Sequence, residues 1–179
     1  MTHTAKNYGG ALYDLAKEEN LTEQILSDLK LVCSVMDENS DYLRLLCTPS
    51  VLKPERRKLI DEAWCGNIHD YTRNFLKLLC DNGALRELRA CKEEFHTRYR
   101  EAYGIIPVCA VSAVGLSDEQ TEKLRQKLQE LTGKTVELSM RVDEHLLGGI
   151  RLELPDRQLD GSVKFHLEQV QKLLKNTVL

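Results

Sequence analysis

The hydrophobic period of this chain changes near Gly104, and that change constrains the fold more than any other feature. Before it, apolar residues recur at helical spacing: Tyr8, Leu12, Leu15 and Ala16, then Ile25, Leu29, Val32 and Met36, then Leu59, Ile60, Ala63 and Trp64. Residues three and four apart share one side of an α-helix, so each such segment buries a stripe and wets the rest. After it, Val136, Leu138, Met140 and Val142 alternate with polar residues, as do Ile150, Leu152 and Leu154. A period of two belongs to half-buried strands. The chain is therefore expected to be α+β, helices first and a sheet afterwards.

Punctuation residues divide the helical part. Thr22 reads as the N-cap of a second helix, and a short helix over 41–47 stops before Pro49. Pro54 sits where a first-turn proline belongs. Tyr71, Phe75, Leu78 and Leu79 mark a fifth helix, closed by Asn82-Gly83. A sixth carries Leu88, Cys91, Phe95, Tyr99 and Ala102, with Glu94 and Arg98 as an i,i+4 ion pair on its wetter side. Short helices with brief loops imply a bundle. Ile105 to Val114 then reads as a strand, with Pro107 tolerable only at its beginning or edge. Ser117 to Gln120 forms a capping box, and Leu124, Leu128 and Leu131 continue that helix to Gly133. Gly148 and Gly149 join two strands where positive φ or close backbone approach is needed. Asp160, Gly161 and Ser162 form a corner before a closing helix striped by Val163, Leu167, Val170 and Leu174. The expected layout is an N-terminal six-helix bundle over 1–104 and a small β-α-β-β-α domain over 105–179.

Chemistry-bearing patterns argue against an enzyme. The five histidines share no i,i+4 spacing, no serine stands in a G-x-S-x-G setting, and the run Glu93 to His96 reads as a solvated face. No catalytic residue, metal ligand or cofactor site is expected. Leu146 to Gly149 lacks the spacing of a phosphate loop and precedes a strand. The six cysteines form no Cys-x-x-Cys pair and fit a reducing compartment as small hydrophobes. A net charge of −3 argues against nucleic-acid binding. No apolar run is long enough to span a membrane. The opening MTHTAKNYGG contains neither a secretory h-region nor an Arg-rich presequence, so Met1 reads as the start of the working protein. Lys53, Arg56, Arg57 and Lys58 cluster in one helix's first turns, either as a solvated surface or as a contact with an acidic neighbour or lipid headgroups.

Three stretches carry a resemblance. The run LLGGIRLELPDRQLDGSV over 146–163, followed by an amphipathic segment, resembles the C-terminal signature of the delta subunit of F-type ATP synthases. That family includes the mitochondrial oligomycin-sensitivity-conferring protein. Tyr8 to Ala16 is similar to the family's opening helix, with Gly9 where Ala is common and Gly10 as a second weak helix former. Asn74 to Gly83 resembles its fifth helix, and Val51 to Lys58 its proline-plus-basic fourth-helix start. The resemblance implies a stator component that caps the catalytic head and ties it to the peripheral stalk. It implies a groove between the first and fifth helices, with Tyr8, Ala11, Phe75 and Leu78 taking up the N-terminal helix of an alpha subunit. Read as residues alone, those four are equally ordinary core. It further implies contact with the stalk's b subunits near the last helix and Gly148-Gly149, with Gly148, Gly149, Asp160, Gly161 and Ser162 as the structural signature. The location implied is the cytoplasmic face of a bacterial membrane, peripheral to it. Two rivals stand beside it: a small-ligand or nucleotide-binding regulator using the Gly-Gly and Asp-Gly-Ser loops, and an unrelated helical adaptor joined to an α+β module.

Overall fold

The structure is a computed structural model that describes residues 2–146, 148–155 and 158–161. In chain order it contains α1 (His3–Glu18), α2 (Thr22–Glu38), α3 (Ser40–Cys47), α4 (Lys53–Trp64), α5 (Asp70–Asp81), a 3-10 turn (Leu85–Glu87) and α6 (Leu88–Tyr103). Then follow β1 (Ile105–Ser112), α7 (Asp118–Thr132), β2 (Thr135–Val142), β3 (Ile150–Glu153) and β4 (Gln158–Asp160). Among the described residues this is a mixed α+β protein of seven α-helices and a four-stranded sheet. The chain divides into two compact units, Met1–Tyr99 and Arg100–Leu179.

In the first unit, local chemistry sets the helix ends. The Thr2 hydroxyl accepts the Ala5 N–H at 3.3 Å and opens α1. Its end is closed by Asn20 at φ 58, with the Leu21 N–H reaching back to the Ala16 carbonyl at 2.8 Å. Asn tolerates that left-handed conformation better than other side-chain-bearing residues. The same reversal offers the Leu21 carbonyl to the Ile25 N–H at 2.9 Å, so α2 begins one residue earlier than a Thr22 cap allows. Thr22 is instead the first helical residue and is buried. The core is a single apolar cluster built around Ile25, Leu29, Leu46, Leu76, Leu79 and Phe95, all fully buried. Tyr13 meets Phe95 edge-on at 5.4 Å between ring centres.

Two sequence expectations fail here for a shared reason: periodicity identifies a helix's inner face but not how closely a neighbour approaches. Glu94 is buried, not on a wet face, and so is His96, although Glu93 is exposed. A Cβ built on Gly9 would fall 2.5 Å from the Cys91 carbonyl oxygen and 3.0 Å from Glu94 Cβ, so α1 lies almost backbone to backbone on α6 and covers Glu94. Conversely Leu78, assigned to an apolar stripe, is 46% exposed.

In the second unit, strand order is β2-β1-β3-β4. β1 and β2 run parallel from Ile105 opposite Thr135 to Ser112 opposite Val142, joined through α7. β3 pairs antiparallel with Cys109–Ser112, and β4 antiparallel with β3. Pro107 thus sits in a central strand, but ahead of the stretch that β3 pairs, where its missing N–H costs least. The Ser117–Gln120 capping box is complete, and Gly133 at φ 63 ends α7. Leu128 packs with Val108 and Val136 against the sheet, whereas Leu131, next to the helix's last residue, is 83% exposed and outside that cluster. β4 adds a strand to the expected β-α-β-β-α order. Three residues with one apolar side chain, Leu159, carry no alternation signal to announce it. Ser162 and the closing helix expected from Val163 to Leu174 lie outside the described residues.

Candidate functional site

The site expected from the first and fifth helices is built on two anchored elements. α1 is pressed onto α6 by Gly9 and Gly10; a Cβ on Gly10 would sit 2.5 Å from an Arg98 guanidinium nitrogen. Arg98 holds the buried Glu94 through Nε at 2.9 Å and reaches Asp14 on α1 at 3.4 Å. α5 is anchored at its start by Asp28 of α2. That carboxylate is 3% exposed and accepts the His69 N–H at 2.8 Å, the Thr72 hydroxyl at 3.0 Å and the Gln24 amide at 2.9 Å. A carboxylate at a helix N-terminus is favoured both by the free amides and by the dipole. Along its flank, Arg73 and Lys77 hold Asp61 of α4 at 3.1 and 2.6 Å. At its end, Arg57 of α4 grips Asp81 through Nε at 2.8 Å, and that hydrogen bond holds the Asp81 carboxyl below the ordinary carboxylate range.

On this frame, Tyr8 is half-buried against the core cluster and Phe75 is part of it. Ala11 and Leu78 lie outside the cluster and are exposed. At 100° per residue, Tyr71, Phe75 and Leu78 run along one shoulder of α5, and Tyr8, Ala11 and Leu15 along one shoulder of α1. On α5 the shoulder grades from the buried Phe75 to the exposed Leu78, and on α1 from the half-buried Tyr8 to the exposed Ala11. Asp28 was not foreseen as a positioning residue. Its signal was an acid lodged inside the stripe Ile25, Leu29, Val32, three residues after Ile25.

Three of the four basic residues have partners here: Arg57 pairs with Asp81, Arg56 donates to the Leu46 carbonyl at 3.2 Å, and the exposed Lys58 approaches Glu62 on its own helix at 3.6 Å. Three cysteines (Cys33, Cys80 and Cys91) are buried, and burial pushes the Cys91 thiol up to about 11. In the second unit, Gly148 and Gly149 take φ 146 and 85 at the joint between β2 and β3. Asp160, the last residue of β4, lies opposite Arg151 in the ladder, and Gly161 just after it donates its N–H to the Ile150 carbonyl at 3.1 Å. A Cβ at Gly161 would meet that carbonyl at 3.0 Å. Among the described residues no group of three side chains is placed to hold a metal, and no helix is long and apolar enough to cross a membrane.

Residues 4–174 match the model of the ATP synthase delta (OSCP) subunit family. The chain belongs to that family. It is 34% identical over 173 residues to the ATP synthase subunit delta of Chlorobium phaeobacteroides (strain BS1), covering 97% of this chain and 96% of that one. It is 31% identical over 172 residues to the ATP synthase subunit delta of Desulfitobacterium hafniense (strain DSM 10664 / DCB-2), with 96% of each covered. A chain in the cryo-EM structure of the Toxoplasma gondii mitochondrial ATP synthase hexamer shares the fold, with a TM-score of 0.72 over 97% of this chain and 98% of that one at 23% identity. Membership makes the chain a delta subunit of the F-type ATP synthase, a stator component of the peripheral stalk. The rival reading as an unrelated ligand-binding adaptor is set aside.

Proposed function

We propose that this delta subunit is a non-catalytic coupler with a separate grip at each end. The layout is a six-helix bundle over 1–104 that takes the catalytic head, followed by a C-terminal domain over 105–179 that takes the b subunits of the peripheral stalk. In the bundle, Tyr8 and Ala11 on α1 and Phe75 and Leu78 on α5 receive the amphipathic N-terminal helix of an alpha subunit. Gly148, Gly149, Asp160, Gly161 and Ser162 belong to the stalk end. Neither grip has to be strong alone. Joined in one body, the second contact becomes intramolecular and gains the corresponding effective concentration. The subunit works on the cytoplasmic side of a bacterial membrane, held there through the complex.

The observation that carries the head-binding reading is Leu78, a large apolar side chain 46% exposed on the helix whose Phe75 is buried. Helix-in-groove binding uses that arrangement: an aromatic floor fixed in the core and an aliphatic wall left free for the incoming helix. Phe75 itself makes a poor probe, because a charge at a buried core position unfolds the bundle. Leu78→Asp is the clean one. Titrating the alpha-subunit N-terminal peptide against it, with circular dichroism to verify folding, should show at least about a tenfold loss of affinity, the range of an interface hot spot. A folded Leu78→Asp chain that binds as tightly as wild type removes the shoulder from the interface.

A further inference from the structure

Two cysteines meet around one carbonyl oxygen where the ends of α3 and α5 approach each other. Cys80, next to last in α5, is buried, and its thiol donates to the Leu46 carbonyl at 3.5 Å. Cys47 follows Leu46 as the last residue of α3 and is half-buried, so solvent reaches it. Arg56 of α4 donates to the same Leu46 carbonyl at 3.2 Å, which places a guanidinium between the two helix ends.

Covalent geometry fixes how near the two thiols are. A carbonyl oxygen lies about 3 Å from the next residue's Cα across a trans peptide. The Cys80 sulfur is therefore within about 6.5 Å of the Cys47 Cα. Disulfide-bonded cysteines place their Cα atoms about 4.4–6.8 Å apart, so a small movement brings the sulfurs together. Cys47 is positioned to make it, because the last turn of a helix frays most easily. Electrostatics agree. Burial pushes the Cys80 thiol up, the Arg56 guanidinium pulls it down, and the charge of Cys47 is near enough to add to the rise. Cys33 and Cys91 also sense each other, but both are buried, 5% and 1% exposed, and neither offers an oxidant an approach.

We propose that Cys47 and Cys80 form a peroxide-sensitive dithiol, in which the accessible Cys47 is oxidised first and Cys80 then closes a reversible disulfide between the ends of α3 and α5. The Cys47 thiolate attacks one oxygen of hydrogen peroxide; the O–O bond breaks, hydroxide leaves, and the sulfur becomes a sulfenic acid. The Cys80 sulfur attacks the Cys47 sulfur; the S–O bond breaks and a second hydroxide leaves. The two thiol protons go to the two hydroxides, so two thiols and one peroxide give one disulfide and two waters. Arg56 favours the second step by stabilising the Cys80 thiolate as it forms. A bond of this kind, made under oxidant and undone by thiols, is the form that a reducing compartment allows.

The test treats the reduced full chain with hydrogen peroxide, blocks remaining thiols with iodoacetamide, and maps the non-reduced digest by mass spectrometry. A linked Cys47–Cys80 peptide pair should dominate, disappear on adding dithiothreitol, and leave Cys33 and Cys91 alkylated. Circular dichroism should be unchanged, since both helix ends keep their places. Cys80→Ser should stop the reaction at Cys47 sulfenic acid, trapped by dimedone. In Cys47→Ser, at the half-buried position, loss of the Cys80 thiol should slow at least about tenfold, because the buried sulfur must then meet peroxide itself. No Cys47–Cys80 linkage in the wild-type chain overturns the proposal. So does Cys80 oxidation at the wild-type rate in a folded Cys47→Ser chain, or a linkage that forms only as circular dichroism is lost.

Discussion

Gly9 and Gly10 are adjacent, both helical and both buried, yet the structure predicts a loss of stability for one and near-neutrality for the other on the same substitution. In a helix interior, Gly→Ala gains up to about 1 kcal/mol from propensity alone, and that gain applies to both. What the new Cβ meets differs. At Gly9 it meets the Cys91 carbonyl oxygen at 2.5 Å and the Cys91 Cα at 3.1 Å, where ordinary contact begins at 3.4 Å. Backbone atoms cannot rotate away, so α1 must lift off α6 and open the contact over Glu94 and Phe95. Overpacking costs about 1–3 kcal/mol, and a 2.5 Å approach to backbone puts this site at the upper end, about 2–3 kcal/mol, leaving Gly9→Ala less stable by about 1–2 kcal/mol after the propensity gain. At Gly10 the close atoms belong to the Arg98 guanidinium, the far end of a flexible side chain that is partly exposed. Gly10→Ala should therefore stay within about 0.5 kcal/mol of wild type, as for substitutions without a packing cost. Urea unfolding followed by Trp64 fluorescence reads the helical unit selectively. With m near 1–3 kcal/mol/M, Gly9→Ala should lower the midpoint by about 0.5–1.5 M at unchanged m. A Gly9→Ala chain as stable as wild type, or a Gly10→Ala chain that is the more damaged, refutes the close-approach argument.

Three further outcomes follow from the same contacts. Asp28→Ala strands the His69 N–H and the Thr72 hydroxyl inside the protein and should cost about 3 kcal/mol in urea unfolding, with α5 amides the most deprotected in hydrogen exchange. Arg57 lowers the folded-state pKa of Asp81, so the stability from that pair is present above the unfolded carboxyl value and lost as pH falls through the folded one. The stability gap between wild type and Asp81→Asn should accordingly be full at pH 6 and close as pH falls below about 4; a gap independent of pH contradicts it. Iodoacetamide at pH 8 should label Cys65, which is exposed, well before Cys91, whose thiol is buried and pushed up to about 11; mass spectrometry of partial digests decides the order.

Much of the architecture was legible because its signals are local. Pro54, Ser117 with Gln120, Asn82-Gly83 and Gly133 each act within one turn of their own position, and each marks a helix end where the structure has one. The strands β2 and β3 announced themselves by alternation, which needs only one buried face. Hidden features depend on distance between segments. Glu94 reads as a wet i,i+4 partner until the glycines of α1 bring a second helix over it. Asp28 reads as an interruption of a stripe until α5 begins against it, forty-one residues later. β4 is too short to show a period, and its existence rests on pairing with β3. At the candidate site, Tyr8 and Phe75 follow from periodicity as inward-facing residues. The exposure of Ala11 and Leu78 does not, because a shoulder position is set by what packs beside it and a helical wheel cannot see that.

The central claim is mechanical: the subunit keeps the head from turning with the rotor. The direct measurement uses membrane vesicles stripped of this subunit, comparing ATP hydrolysis with ATP-driven ion uptake before and after adding the purified chain back. Hydrolysis should persist without uptake in stripped vesicles, and uptake should return with wild type but not with a folded Leu78→Asp chain at limiting concentration. Full ion uptake in vesicles verified to lack the subunit contradicts the account.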